Sequence, residues 1–506
     1  MCRIAVLHGL DQQSGFPLVW KMLEPVQHRG FKNFEIAGKL NCVLGANRLD
    51  IVDRDNGQQP ACNEDKSVFA VLSGEIYNHG EIRSALVLKG YHIKTKCDTE
   101  ILVHSYEEYG PDLVRYLDGM FAFVIFDARS GKLLAARDPY GIKPLYMAQS
   151  TSGLLAFASE MKSFIPLDIQ EVLLVPPGHY YWDNEMVQYY EFPSKSPALS
   201  FAMARDCLRH LLHSSVDKMV ETDLPLAVFL SGGIDSAIVL YHARELHPDV
   251  TAISVGLKGS PDLAAAKDLC AYLGIKHIWA EYDQLDLKRL YEKVIYHLES
   301  FEPNLVRGSI FTFLMSTLAN QHGYRVSLAG EGSDELFAGY TDFALMSDDD
   351  HVRRELFEFF RDLHRTQLLR WDKISMACAV EVRYPFMDQG IVEFAWNLPV
   401  DFKLGRHQPE TTAKYLLRSA YADVLPHSII DRGKVPMDEG ACPGGKQQLG
   451  ELIQAYISES GELCIDDDVI KTYKLASLEE CYNFQVFAKH YGFAEFVRDR
   501  IKVRKN

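Results

Sequence analysis

The chain is expected to fold as two domains of different class: layered sheets of the α+β kind, then an α/β doubly wound parallel sheet that ends in a helical part. Three observations carry this. Its 506 residues exceed the roughly 100–200 that one core usually organises. The first part alternates short apolar runs with turns rich in Gly, Asp and Asn, and the second changes to a strand-then-helix rhythm.

In chain order, Val68–Leu72, Phe121–Phe126 and Leu154–Ala158 read as strands of the sheet layers. The segment EFPSKSPAL, Glu191 to Leu199, combines two prolines, two serines and a lysine, the composition of a linker. It sets domains of 1–197 and 198–506. Beyond it, Leu224–Leu230 precedes a glycine turn and Ser236–Leu246, Thr251–Leu257 precedes Asp262–Leu273, and His277–Tyr282 and Val326–Ala329 follow as strands. That alternation predicts a parallel sheet whose ligands bind outside the carboxyl ends of its strands. From Val352 the pattern is mainly helical, and the Arg/Lys tail reads as a solvated terminus.

The net charge of −16, with no basic stripe, argues against nucleic acid as a partner. No apolar run approaches the roughly 18 residues of a membrane helix, and the start lacks signal-peptide blocks. The expectation is a cytoplasmic enzyme with no membrane partner. Cysteines at 2, 42, 62, 97, 207, 270, 378, 442, 464 and 481 form no CxxC pair and no metal-spaced cluster, so most read as reduced core residues.

Ser231-Gly-Gly-Ile-Asp-Ser236 lies between a buried strand and an amphipathic helix. Gly232 and Gly233 let the backbone turn and approach an anion, while the free amides and positive dipole end of the next helix face it. Ser231 and Ser236 add hydroxyls, and Asp235 suits a magnesium ion on phosphates. The same stretch alone also fits a plain strand-to-helix turn. It is not a Walker loop; Gly440–Lys446 comes closer to that spacing but ends at Gln447 and reads as a loop. A second turn, Ala329-Gly-Glu-Gly-Ser-Asp-Glu-Leu-Phe-Ala-Gly-Tyr340, follows the strand at Val326. It could face the first loop, with Asp334 a second magnesium ligand beside Asp235 and Glu331 an anionic base; alone, it also fits a helix start with favourable acids.

At the other end, removal of the initiator methionine would leave Cys2 with a thiol and a free α-amine. The amine's pKa of about 7.7–8.0 lies near the thiol's of roughly 8.5, so it can serve as the thiol's base. Such a residue can attack the side-chain amide of glutamine and release ammonia.

SGGIDS at 231–236 and AGEGSDELFAGY at 329–340 resemble the two motifs of the asparagine synthetase family, whose ATP pyrophosphatase domain forms an acyl-adenylate. The resemblance implies that Leu230, Val255 and Gly330 lie around the adenosine, and Lys373 and Lys434 near the phosphates. Residues 1–190 resemble the class II amidotransferase glutaminase domain, an N-terminal-nucleophile αββα sandwich, through HRG at 28–30, NRLDIVD at 47–53, GQQP at 57–60, SGEIYNH at 73–79, CDTE at 97–100, DGMFAFVIFD at 118–127 and ARDPYGIKPLY at 136–146. It implies that Arg48 pairs with the glutamine carboxylate, that Glu75 and Asp98 hold its ammonium, that Val52 lines the same site, and that Ser73 and Gly74 stand at the oxyanion hole. Guanidinium suits a carboxylate and paired acids suit an amine.

Three departures from the family pattern stand out. Ser73 stands where an asparagine is usual, Phe31-Lys32-Asn33 replaces the usual PD after HRG, and Arg3 follows the cysteine where a small residue is common. Loss of one oxyanion donor costs about 2.7–4 kcal/mol in comparable sites, which leaves slow glutamine use, with free ammonia as donor, open. The implied reaction is amidation of a small carboxylate, aspartate by default, using glutamine, ATP and Mg2+. A sister amidotransferase on another carboxylate and a β-lactam-type cyclising synthetase are the alternatives, and a homodimer is left open.

Overall fold

Apolar alternation decides the layers. The computed structural model of the chain describes residues 3–30, 34–54, 56–150, 153–167, 169, 171–192, 199–406, 412–460 and 465–492. Cys2, Phe31-Lys32-Asn33 and the linker core 193–198 lie outside the described residues. The chain forms two units. The first takes it up to Glu191 and takes back His364–Ala379; the second holds Phe192–Leu363 and Val380–His490. That return of 364–379 has no counterpart in the sequence reading, which placed one boundary at 197.

The first unit contains two six-stranded antiparallel sheets. One runs Val172–Leu174, Tyr146–Gln149, Leu155–Ala158, Arg3–His8, Cys42–Asn47, Glu35–Lys39; the other runs Glu185–Gln188, His179–Trp182, Lys132–Arg137, Gly119–Asp127, Val68–Ile76, Ala61–Cys62. Ile4 and Val6 of the first sheet pack against Val71, Val124 and Phe126 of the second. Their neighbours Ala5 and Leu7 point the other way, onto Val19 and Leu23 of the helix Gln12–Leu23. Likewise Ala70 and Leu72 leave the inter-sheet core and pack on Ile101 and Leu102 of the helix Asp98–Tyr109. The period of two along each strand thus produces helix, sheet, sheet, helix. Each fully buried Val, Leu or Phe contributes about 1.5–3 kcal/mol.

The ARDPYGIKPLY stretch is held by its own backbone. The Asp138 carboxylate accepts from the amides of Tyr140 at 3.1 Å, Ile142 at 2.9 Å and Lys143 at 3.0 Å. Arg137 donates to the carbonyls of Lys143, Val175 and Gly141, each at 2.7 Å. A second buried group crosses the chain: Arg29 pairs with Glu160 at 2.9 Å and with Asp372 at 2.8 Å, and Lys143 reaches Asp372 at 3.2 Å. Lys162 also pairs with Glu160. Burial opposes ionisation of Glu160, but Lys162, His28 and Arg29 outweigh it and hold the carboxylate well below its usual range.

The second unit carries a five-stranded parallel sheet, in the order Lys276–Tyr282, Thr251–Leu257, Leu226–Phe229, Val326–Leu328, Glu381–Arg383. Leu226–Phe229 and Thr251–Leu257 are buried throughout, as inner strands of a doubly covered sheet are. Lys276–Tyr282 is exposed or half-buried along its whole length and takes the edge. The three-residue strand Glu381–Arg383 lies in the stretch read as helical. The near-Walker stretch, read as a loop, runs from the last residue of the helix Met437–Gly440 into the start of the helix Gly445–Ser460, with only 441–444 between them. Among the described residues no helix is long and apolar enough to cross a membrane, and the described cysteines are free.

Candidate functional site

In the first unit, one cleft is lined by Arg48, Leu49, Ile51, Val52, Gln59, Gly74, Glu75, His79, Cys97 and Asp98. The four residues expected to bind glutamine, Arg48, Val52, Glu75 and Asp98, therefore meet with Gly74 in a single place. Arg48 is fixed by the chain that follows it: it donates to the carbonyls of Asp53 at 3.0 Å and of Val52, and lies 3.5 Å from Asp50. Asp98 opens the helix Asp98–Tyr109 and accepts from the Ile76 amide at 3.1 Å, which ties that helix to the strand bearing Glu75. A guanidinium and two carboxylates on one cleft are complementary to a free amino acid, which carries both charges.

Gly74 has φ of 142°, and a Cβ there would stand 2.0 Å from the Met120 carbonyl oxygen. Only glycine fits between the paired strands at that point. Ser73 is fully buried in the strand Val68–Ile76, opposite Ala122. Arg3 begins the first strand, buried, with its guanidinium 4.1 Å over the Phe34 ring. Cys97 is kept protonated, its thiol pushed up to about 12 by burial and the adjacent Asp98.

In the second unit, Leu226–Phe229 lies between Thr251–Leu257 and Val326–Leu328. The chain leaves the central strand to one side and later returns on the other, so the loops after Leu226–Phe229 and Val326–Leu328 flank the switch point of the sheet. They touch. A Cβ on Gly330 would lie 2.8 Å from the Asp235 carbonyl carbon and the Ser236 amide nitrogen. Ser333 donates to Asp235 at 2.8 Å. The helix Ile234–Leu246 starts at Gly233 without a side-chain cap, and within the loop Ser231 and Ser236 bond one another at 3.3 Å. Leu230 directly follows the central strand and its amide donates to the Ile253 carbonyl at 2.9 Å, two residues before Val255 on the neighbouring strand.

The charges at this edge alternate. Lys414 lies 2.5 Å from Asp235 and 2.6 Å from Asp334, and Lys434 pairs with the other oxygen of Asp334. Burial would raise Asp334, but the two ammonium groups outweigh it and hold the carboxyl well below its usual range. Burial opposes the charge on Lys434 as well, and Asp334 with Asp235 raises it. Glu335 behaves oppositely: burial, then Asp334 and Glu331, push it up to about 8, while Tyr340 donates to it. Two hard oxygen donors on facing loops, joined by one ammonium, form a donor set that fits Mg2+.

Lys373 groups with the other unit. It lies on the helix Gln367–Ala377 in the first unit, buried, with its ammonium 4.8 Å from the Tyr146 ring centre.

Residues 1–187 match the family model described as glutamine amidotransferase domain, and residues 207–348 and 344–492 match the asparagine synthase model. The chain is 34% identical to asparagine synthetase [glutamine-hydrolyzing] 3 of Arabidopsis thaliana over 91% of its length and 82% of that protein. It is 35% identical to asparagine synthetase [glutamine-hydrolyzing] 2 of Oryza sativa subsp. japonica, over 91% and 80%. The nodule enzyme of Pisum sativum is 33% identical over 97% and 86%. The chain belongs to the asparagine synthetase family.

For a member of that family, the sequence reading missed three groups. Lys414, buried and left-handed at φ 58°, bridges the two aspartates. Arg432 donates to the Ser231 carbonyl at 3.3 Å and pairs with Asp262 at 2.5 Å. His79 opens the helix His79–Leu88 on the glutamine cleft, bonded to the Ile76 carbonyl at 2.9 Å. Lys414 has no local signature; Arg432 stands two residues from Lys434 in RGKVP, and His79 ends SGEIYNH, so proximity to a motif was the available signal for both.

Proposed function

We propose that this chain amidates aspartate to asparagine, using glutamine as nitrogen donor and ATP as activator. Alternating charge at the switch point, Asp235–Lys414–Asp334–Lys434, carries the reading, because it offers phosphates two cations and a divalent ion two carboxylates. The glutamine cleft supports the other half. Arg48 receives the α-carboxylate, Glu75 and Asp98 the α-ammonium, and the Cys2 thiolate attacks the side-chain amide carbon. Ammonia leaves, and water frees glutamate from the thioester.

In the second unit, a carboxylate oxygen of aspartate attacks the α-phosphorus of ATP and diphosphate departs, forming an acyl-adenylate. Ammonia then attacks the acyl carbon, Glu331 accepts a proton, and AMP leaves. Adenylation is needed because hydroxide is a poor leaving group. Asp235 and Asp334 would hold Mg2+, which neutralises charge on the phosphates. Leu230, Val255 and Gly330 flank the adenosine, while Ser231, Gly232, Gly233 and Ser236 form the phosphate cradle.

The test is product analysis with ATP, Mg2+, aspartate and either glutamine or ammonia. AMP and diphosphate in equal amounts with asparagine are expected; ADP would overturn the adenylation step. Cys2→Ala should abolish glutamine use and spare ammonia use, and equal loss of both would overturn the two-site scheme. A carboxylate other than aspartate turning over best would overturn the acceptor.

A further inference from the structure

Away from the phosphate loop, the helix Ile234–Leu246 carries a second group of ligating side chains. His242 and Glu245 share one face at the i,i+3 spacing, and His213 of the helix Phe201–Met219 joins them. The Glu245 carboxylate lies 3.5 Å from His242 Nδ1 and 3.9 Å from His213 Nδ1, and the three ligand atoms lie within 4.8 Å of one another. Tetrahedral zinc with bonds of about 2.0–2.1 Å places its ligand atoms roughly 3.3–3.5 Å apart, so the group needs only a small adjustment. His213 and Glu245 are on the surface and can make it, each with a side chain 45% exposed.

His242 is the fixed member. It is 4% exposed, and its Nδ1 has no hydrogen-bond partner. Its Nε2 lies 2.6 Å from the Tyr421 hydroxyl. With Nδ1 as ligand, Nε2–H donates to Tyr421, the outer support that orients ligating histidines. Burial first, then His213 and Arg209, pulls this imidazole down to about 3, so near pH 7 it is neutral, the form that ligates. The contact with Glu245 is then no ion pair. Arg209 is paired with Asp423 at 3.1 Å, which offsets part of its opposition to a cation here.

We propose that His213, His242 and Glu245 form a binding site for a borderline divalent transition-metal ion, Zn2+ by its donor set, which braces the helices Phe201–Met219 and Ile234–Leu246. The site stands eight residues along the helix from Ile234, roughly 12 Å at 1.5 Å per residue, and so apart from the ATP loop. Two imidazoles and a carboxylate leave a fourth position for water, while magnesium would prefer an all-oxygen set.

The test uses the full chain and Co2+ as a coloured probe, with Zn2+ as competitor. One equivalent of Co2+ should give ligand-field bands without thiolate charge transfer, and Zn2+ should remove them. His213→Ala and Glu245→Gln, both at exposed positions, should weaken binding tenfold or more and abolish the rise in Tm that Zn2+ gives the parent. Tyr421→Phe should weaken it about 10–100-fold. Unchanged affinity in the His213 and Glu245 variants, thiolate bands, or no saturable binding below millimolar Co2+ would overturn the proposal.

Discussion

Ser333 donates its hydroxyl hydrogen to Asp235 across 2.8 Å, which joins the starts of two helices that follow different strands of one sheet. Each of the two loops is therefore part of the other's support, and Gly330 is the point where they press together.

Gly330→Ala should separate them. Its Cβ would meet backbone at 2.8 Å, which has no rotamer to retreat into. Overpacking of this kind costs about 1–3 kcal/mol. Urea unfolding should show that loss, and the KM for ATP should rise while glutamine hydrolysis is kept.

Lys414→Met removes the cation between Asp235 and Asp334. An uncompensated buried charge costs about 3 kcal/mol or more. Stability should fall above pH 5 and recover in part in the Lys414→Met/Asp334→Asn double variant. A strictly additive double-mutant cycle would contradict the coupling.

The acid limb follows from Asp334, whose folded pKa is depressed. Its contribution is present above the unfolded value of about 3.9 and is lost as pH falls below it through the folded value. Asp334→Asn should flatten the stability curve at that acid end.

Glu335 acts in the opposite sense. Its folded pKa, pushed up to about 8, means the folded state holds a proton that the unfolded state gives up near pH 4.3. The stabilising preference is full below that value and is lost as pH rises through about 8, with a slope of about 1.4 kcal/mol per pH unit. Glu335→Gln should gain stability relative to the parent at pH 8 and show little difference at pH 4, measured by urea unfolding.

For the glutamine cleft, Asp98→Asn should raise the KM for glutamine by tenfold or more, because a charged hydrogen bond to the ammonium contributes about 1.5–3 kcal/mol. Ammonia-dependent synthesis should be unchanged, since Asn can still accept from the Ile76 amide.

The parts legible in the sequence are those encoded within a few residues. SGGIDS and AGEGSDELFAGY declare a glycine turn, a helix start and a carboxylate in one stretch, and the cleft residues Arg48, Glu75 and Asp98 each sit in a motif. What escaped depends on distant partners. Lys414 acquires its role from Asp235, 179 residues earlier, and nothing local distinguishes it from a surface lysine. The strand Glu381–Arg383 is three residues long and exists because Val326–Leu328 offers a free edge. The helix Gln367–Ala377 reads as one more helix in a helical stretch, and no periodicity tells which unit it joins.

That helix ties the first unit to the order of synthesis. Arg29 and Lys143 lose their solvation when the first unit closes, yet the Asp372 carboxylate that both contact is made long after Glu191. At about 5–20 residues per second, the ribosome reaches it on the order of ten to forty seconds later. A nascent first unit must wait with two cations lacking that counter-ion, and a fragment ending at Glu191 would remain in that state permanently.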